Sequence, residues 1–446
     1  MTPLFPLRML LTGIFSWALL LGGLYGFWEL WQRTQATNQV SVNVNQQLDD
    51  PLLDQPVDRD DPQIAADQFS VAESRRPLQD WPTWAVIALG VGATGWSFGG
   101  ARLLGLLRPR REDDPKSLPA AGEVIARPDG SHLHVQIFGN PVGPTLIFTH
   151  GWSLDRSGWF YAPHDLASRF RIVLWDLPGL GRSTAADNRD QSLEKMARDL
   201  DAVVQHVANG QPVTLVGHSI GGMILQVYSR LYPEHLGTKI SALALVNTTF
   251  KNPLTTMLLA PVWTALQWPL IVPLHYVMIG LAPLAWVSNW KSYLDGSSLL
   301  FSRLTSFTGQ QTWGQLDHSS RLSAQAWPAV VARGNLAMFG FDETNTLPKI
   351  PIPVLVLAGD HDRVTQRRAS EYMAGALSQG TLASYPGGHL QLYEYHPQLT
   401  ARIASFVDQA LDIDNKAIGS VPTAGPISPA PQDRKPQVHK PPLRTY

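Results

Sequence analysis

The sequence contains no cysteine, which excludes disulfides, thiolate metal sites and a cysteine nucleophile. That absence leaves the compartment open, because a disulfide-free chain suits a reducing cytoplasm and a periplasm alike. Net charge is also missing. Lys and Arg number 35, Asp and Glu 36, and the formal net charge is −1. Such a chain has no global field to attract nucleic acid, and no zinc-finger spacing, Walker loop or recognition-helix signature occurs in it. No nucleic-acid partner is expected. Apolar material is plentiful: 44% of 446 residues are hydrophobic, enough for a large core.

Two long runs lack charge altogether, Met9 to Trp28 and Trp81 to Ala101. At about 1.5 Å per residue, each is long enough to cross a hydrocarbon core of about 30 Å. Transmembrane helices are therefore expected within residues 1–32 and 81–107. Arg8 ahead of the first run would also open a secretory signal, but the run continues into Trp28, Glu29 and Trp31 where a small-residue cleavage site belongs. Between the spans, residues 33–80 carry nine Asp or Glu against four Arg and read as a polar, unstructured loop. Arg102, Arg108, Arg110 and Arg111 follow the second span and Arg8 precedes the first. The positive-inside rule then predicts a multi-pass protein of a bacterial inner membrane with its globular domain in the cytoplasm. Gly22 with Gly26 and Gly95 with Gly99 are spaced for close backbone approach, or simply reflect the glycine common in such helices.

After a basic linker over 108–119, the pattern changes. Apolar runs at Thr145–Gly151, Phe170–Asp176, Val213–Ser219, Ile240–Asn247 and Ile352–Asp360 read as buried strands. Helical patterns separate most of them, which is the rhythm of a mostly parallel sheet covered on both faces, an α/β architecture over 120–412. Two leading segments, GEVIARPDG and HLHVQIFG, predict an antiparallel hairpin at the sheet edge.

In LVGHSIGG, Ser219 stands where a strand meets a helix, between Gly217 and Gly221. Small neighbours are what a strained turn needs to lift a hydroxyl clear of a sheet, and a plain turn serine is the alternative. A nucleophilic serine needs a base, an acid to fix the base's tautomer, and two donors for the oxyanion. FTHGW ends another strand, so the N–H of Trp152 and that of Ile220 are candidate donors. LAGDHDRV ends the last long strand with Asp360 and Asp362, and His389 lies in the loop SYPGGHLQ.

These motifs together resemble the α/β-hydrolase fold, closely its esterase and lipase members of monoacylglycerol-lipase type. HGW is similar to that family's oxyanion loop, WDLPGLGRS (Trp175–Ser183) to its D-x-P-G-x-G-x-S turn, GHSIGG to its nucleophile elbow and GGH to its histidine loop. The resemblance implies an eight-stranded, mostly parallel sheet. It makes Ser219 the nucleophile, His389 the base and then acid, and Trp152 and Ile220 the oxyanion donors. The family's G-x-x-D spacing selects Asp362 over Asp360 as the acid, the alternative position being held by Asn247. Asp176 and Arg182 are read as turn organisers, and His150 and His218 as hydrogen-bonded neighbours. A serine at the nucleophile position argues against haloalkane dehalogenases and epoxide hydrolases, which use aspartate there. No metal and no cofactor is expected.

From Asn252 to Trp290 there is no Lys, Arg, Asp or Glu, but there are five prolines and four tryptophans, Trp263, Trp268, Trp286 and Trp290. A membrane span here would separate Ser219 from Asp362 and His389. The segment is therefore expected to be part of a lid over about 250–335, broken into short helices by Pro253, Pro261, Pro269, Pro273 and Pro283. Its tryptophans suit either a headgroup boundary or packing within the domain. Residues 413–446, with seven prolines and a basic bias, are expected to be disordered. The expected activity is hydrolysis of an ester with a hydrophobic acyl chain, a monoacylglycerol or lysophospholipid, at a lipid bilayer. A thioesterase, a carbon–carbon bond hydrolase, and a non-catalytic ligand-binding or scaffold member are the alternatives.

Overall fold

The computed structural model describes residues 4–48, 78, 80–108, 111–208 and 210–418. Most of the polar loop expected over 33–80 and of the tail expected over 413–446 falls outside the described residues. Residues 33–48 and 413–418 are helical, because the first helix runs Phe5–Leu48 and the last His396–Ile418.

Eight strands form one sheet: β1 (Glu123–Ala126), β2 (His132–Gly139), β3 (Thr145–Thr149), β4 (Arg171–Trp175), β5 (Val213–His218), β6 (Ile240–Val246), β7 (Val354–Gly359) and β8 (Gly380–Tyr385). Their spatial order is β1-β2-β4-β3-β5-β6-β7-β8. The expected edge hairpin is present, β2 pairing antiparallel with both β1 and β4, and every later pairing is parallel. All residues of β3, β5, β6 and β7 are buried, because helices cover both faces and leave no side for polar alternation. Within β3, Ile147 joins the core beneath helices Leu193–Val207 and Ile220–Leu231, while Leu146 and Phe148 join the core beneath His396–Ile418.

The chain between β6 and β7 forms a helical insertion with a narrow base, where the Glu343 N–H donates to the Phe250 carbonyl at 2.8 Å. Its prolines break it only in part: Pro253, Pro261 and Pro283 stand at the starts of helices, as expected, but Pro269 and Pro273 do not interrupt theirs. Residues 260–280 are continuously helical, with a π turn over Gln267–Ile271 joining Ala260–Leu266 to Val272–Gly280. Pro269 lies inside that turn, where the wider i→i+5 spacing tolerates its missing N–H and ring.

Helices Phe5–Leu48 and Thr83–Leu106 pack against each other at Gly23, Gly26 and Gly90, so of the four spaced glycines read in the sequence Gly26 alone lies at the contact. A Cβ on Gly26 would lie 3.1 Å from the backbone of Gly90, and one on Gly23 would lie 2.8 Å from the Thr94 nitrogen, whereas Gly22, Gly95 and Gly99 face open space. Among the described residues, Phe5–Gln39 and Ala260–Gly280 are long and apolar enough to cross a membrane. Thr83–Leu106, expected as the second span, is a 24-residue helix with six glycines and is not among them.

The start of the first helix docks into the insertion. Arg8, expected as a charged flank, is buried and donates to Ser323 Oγ at 3.1 Å and Asn289 Oδ1 at 3.3 Å. Two turns on, Ser16 donates to Asp295, and Lys291 Nζ meets the Ser16 carbonyl at 3.1 Å and Asp295 Oδ2 at 3.2 Å. Phe5 and Met9 belong to the same core cluster as Trp152 and Ile220. The linker is equally fixed: Thr312 donates to Asp114, and Arg156 donates to the Pro119 carbonyl at 2.9 Å.

Candidate active site

Ser219 follows β5 and precedes helix Ile220–Leu231, with φ 55° and ψ −119°. A non-glycine residue with positive φ is costly and persists only where its surroundings over-determine it. Two glycines make the turn possible: a Cβ on Gly217 would lie 2.4 Å from the Gly221 carbonyl carbon, and one on Gly221 would lie 2.4 Å from the Thr149 oxygen. The Ser219 N–H donates to the Val246 carbonyl at 2.9 Å, and Thr248 Oγ donates to the Ser219 carbonyl at 2.6 Å.

The fold brings three of the sequence candidates together. His389 Nε2 lies 3.1 Å from Ser219 Oγ, and His389 Nδ1 lies 2.9 Å from Asp362 Oδ2. An ionised carboxylate only accepts, so the imidazole proton sits on Nδ1 and the Nε2 lone pair faces the serine hydroxyl. Asp362 lies in the turn after β7, where Val364 N–H at 2.7 Å and Thr365 N–H at 2.9 Å donate to Oδ1. Burial works to raise its pKa. The adjacent His389 and these hydrogen bonds outweigh burial and hold Asp362 below the ordinary carboxylate value. Asp360 is elsewhere, exposed and paired with Arg367 at 2.7 Å.

Ile220 follows the serine in sequence, Trp152 shares the core cluster of Ile220, and both are buried. Ile220 is the first residue of its helix, and an N–H in that position has no intrahelical acceptor and points along the positive end of the helix dipole. Trp152 follows the end of β3, its indole donating to the Val331 carbonyl at 3.0 Å. The insertion thus holds that side of the site. The array is buried, with Ser219 8% exposed and His389 fully buried.

The neighbouring histidines have structural roles. His150 Nδ1 donates to the Gly151 carbonyl at 2.9 Å and its Nε2 accepts from the Leu177 N–H at 3.0 Å. His218 Nε2 donates to the His389 carbonyl at 2.9 Å. Burial, reinforced by the positive charge His389 can carry, keeps His218 far below its ordinary pKa and hence neutral. Asp176 organises its turn as read, accepting from Arg156 N–H at 2.7 Å, Arg156 guanidinium at 2.8 Å and Arg182 N–H at 2.9 Å. Among the described residues no group of His, Asp and Glu could hold a metal ion.

A supporting ring around Asp362 is absent from the sequence reading. Asn247, at φ 44°, donates to Asp362 Oδ2 at 2.8 Å and to the Gly388 carbonyl at 3.2 Å. Gln391 donates to Asn247, and Thr365 Oγ to Asp362 Oδ2 at 2.8 Å. Asn247 was visible only as the occupant of an alternative acid position, and nothing local marks Gln391.

Residues 146–403 match the model of the Alpha/beta hydrolase family. A bifunctional esterase/perhydrolase of Acinetobacter calcoaceticus is 27% identical over 59% of this chain and 91% of its own length. The magnesium-chelatase 30 kDa subunit of Rhodobacter capsulatus is 26% identical over 62% of this chain and 93% of its own. A pimeloyl-[acyl-carrier protein] methyl ester esterase of Aeromonas hydrophila is 33% identical over 24% of this chain, and the match spans only 40% of that relative's length. In solved structures, a thermophilic esterase from Thermogutta terrifontis superposes with a TM-score of 0.54 at 23% identity, over 65% of this chain and 99% of that one.

Proposed function

Because the chain belongs to the alpha/beta hydrolase family, we propose that it is a membrane-anchored serine hydrolase that cleaves carboxylic esters of hydrophobic acyl chains through an acyl-enzyme. The observation that carries this reading is the continuous hydrogen-bonded line from Ser219 Oγ through His389 to Asp362. His389 Nε2 takes the hydroxyl proton as Oγ attacks the carbonyl, and the Nδ1–H to Asp362 stabilises the imidazolium that forms. The N–H groups of Trp152 and Ile220 receive the developing oxyanion. His389 then returns its proton to the leaving alcohol, and water repeats the sequence to free the acid.

The membrane part of the proposal rests on the apolar surface. The first helix presents Leu10, Leu11, Ile14, Phe15 and Leu21, and the insertion presents Trp268 at 73% and Tyr276 at 63% exposure. Exposed apolar area on this scale marks an interaction surface, and a bilayer fits a surface borne partly by a helix long enough to span one. With the globular domain at the docked start of that helix, the charge rule of the sequence reading sets it on the cytoplasmic face, and the insertion acts as a lid through which a monoacylglycerol or lysophospholipid enters from the bilayer.

The test is covalent labelling of the purified full chain by a fluorophosphonate probe, with the modified peptide identified by mass spectrometry. Modification at Ser219, lost in His389→Ala, is the expected outcome. An unlabelled, folded protein that still binds lipid would leave the ligand-binding alternative standing instead.

A further inference from the structure

We propose that a basic cavity beside Asp362 binds a phosphate group, presented by the headgroup of an anionic phospholipid at the membrane face. The cavity, of about 550 Å³, lies between the turn after β7 and the end of helix Ser297–Ser306. Arg303, His361 and Arg363 supply its donors, and Leu258 and Leu304 its apolar walls.

Three features make this an anion site. Arg303 is exposed and makes no hydrogen bond or ion pair among the described residues. Arg363 spends one N–H on the Leu304 carbonyl and keeps the rest of its guanidinium for a ligand. Of the two carboxylates in the wall, Asp360 is paired with Arg367 at 2.7 Å, and Asp362 is turned to His389 at 2.9 Å and to four further donors, so neither pairs with Arg303 or Arg363. Two guanidinium groups without a carboxylate partner therefore face the cavity, although the chain's net charge is −1. Two guanidinium groups and a ring N–H suit the several acceptor oxygens of a phosphate better than the two of a carboxylate.

The surroundings supply the lipid. Leu258, Leu300 and Leu304 are 45%, 59% and 55% exposed, an apolar collar beside guanidinium groups, as a surface at the depth of headgroups requires. That collar adjoins the start of the first helix: Leu4 packs with Met257, and the Arg8 guanidinium lies 5.9 Å from the Phe301 ring centroid. The collar thus lies near the start of the apolar first helix, where headgroup phosphates would lie if that helix spans a bilayer. This inference rests on the membrane-anchored reading but not on hydrolysis, so the test reads binding and not turnover.

The full chain in neutral detergent is titrated with an ether-linked phosphatidylglycerol, which no esterase can consume, and affinity is read by thermophoresis. An ether-linked dialkylglycerol of the same chain length omits the phosphate. The phospholipid should bind on the order of ten-fold more tightly than the dialkylglycerol, and Arg303→Gln/Arg363→Gln should remove most of that difference. Arg303→Gln alone, which breaks no internal contact, should weaken binding several-fold. The Ser219 probe reaction should stay intact in both variants. Inorganic phosphate as competitor tells the sources apart: displacement at comparable concentration makes the ligand a free phosphate, and failure to displace makes it a headgroup, both at this cavity. Equal affinity for the phospholipid and the dialkylglycerol, or wild-type affinity in the double variant, overturns the proposal.

Discussion

At the scale of single residues, the choice between two carboxylates becomes a measurement. Asp362 receives four donors besides His389, whereas Asp360 faces solvent and Arg367. Ser219→Ala and His389→Ala should each lower ester turnover about 10⁴-fold, since groups that act as a unit fail together. Asp362→Asn should cost about 10²- to 10⁴-fold, because an amide there turns an N–H toward existing donors and favours the wrong histidine tautomer. Asp360→Asn should leave turnover within a few-fold, and a larger loss than in Asp362→Asn would reverse the assignment. A second residue reports on stability. Burial pushes His318 down to about 4, against about 6.5 in an unfolded chain. Between those values the unfolded state binds more protons, so stability falls as pH drops from about 6.5 toward 4. His318→Asn should flatten the decline of Tm across that window, and an unchanged slope would show that other groups carry it. The depressed Asp362 acts in the same direction at lower pH: its contribution is present above the ordinary carboxylate value and is lost as pH falls through its folded value.

At the scale of elements, legibility follows range. The elbow was readable because its requirements are local: Gly217 and Gly221 must be small where Ser219 turns, and all three lie in five residues. The strands were readable because burial on both faces leaves continuous apolar runs. The insertion was readable only in composition. Its four tryptophans look alike in the sequence, yet Trp263 packs with Leu4 and donates to the Leu258 carbonyl at 2.8 Å while Trp268 is 73% exposed. That division depends on which face of a π-containing helix meets the N-terminal residues, and no local pattern encodes it. It also selects the useful variant. Trp268→Ser should slow hydrolysis of long-chain esters held in vesicles several-fold and leave short soluble esters unaffected, because a ring of that size contributes up to a few kcal/mol when taken from water into lipid. Equal loss on both substrates would place the ring's role inside the domain.

At the scale of the whole molecule, the first helix and the hydrolase domain share buried polar and apolar contacts, which hydropathy alone does not reveal. The contact from Arg8 to Ser323 spans 315 positions, and that from Lys291 to Ser16 spans 275. Phe5 and Met9 sit in the core cluster that holds Trp152 and Ile220. A chain beginning near Lys116 would therefore lose more than the proposed anchor. It would expose the apolar seat of Phe5 and Met9, each worth about 1.5 to 3 kcal/mol when buried, and would strip Lys291 and Asp295 of Ser16. It should unfold at lower temperature and hydrolyse even soluble esters poorly. Truncation alone cannot separate lost packing from lost polar contacts, so the buried pair supplies the sharper test. Lys291→Met in the full chain leaves Asp295 buried beside Ser16 without its cation, and breaking such a pair costs about 3 to 5 kcal/mol. Lys291→Met/Asp295→Leu removes both charges and should recover most of that loss. If instead Lys291→Met leaves Tm unchanged while the truncated chain melts early, the helix is held by apolar contact alone. If both variants and the truncated chain melt like the full chain, the first helix serves only as an anchor.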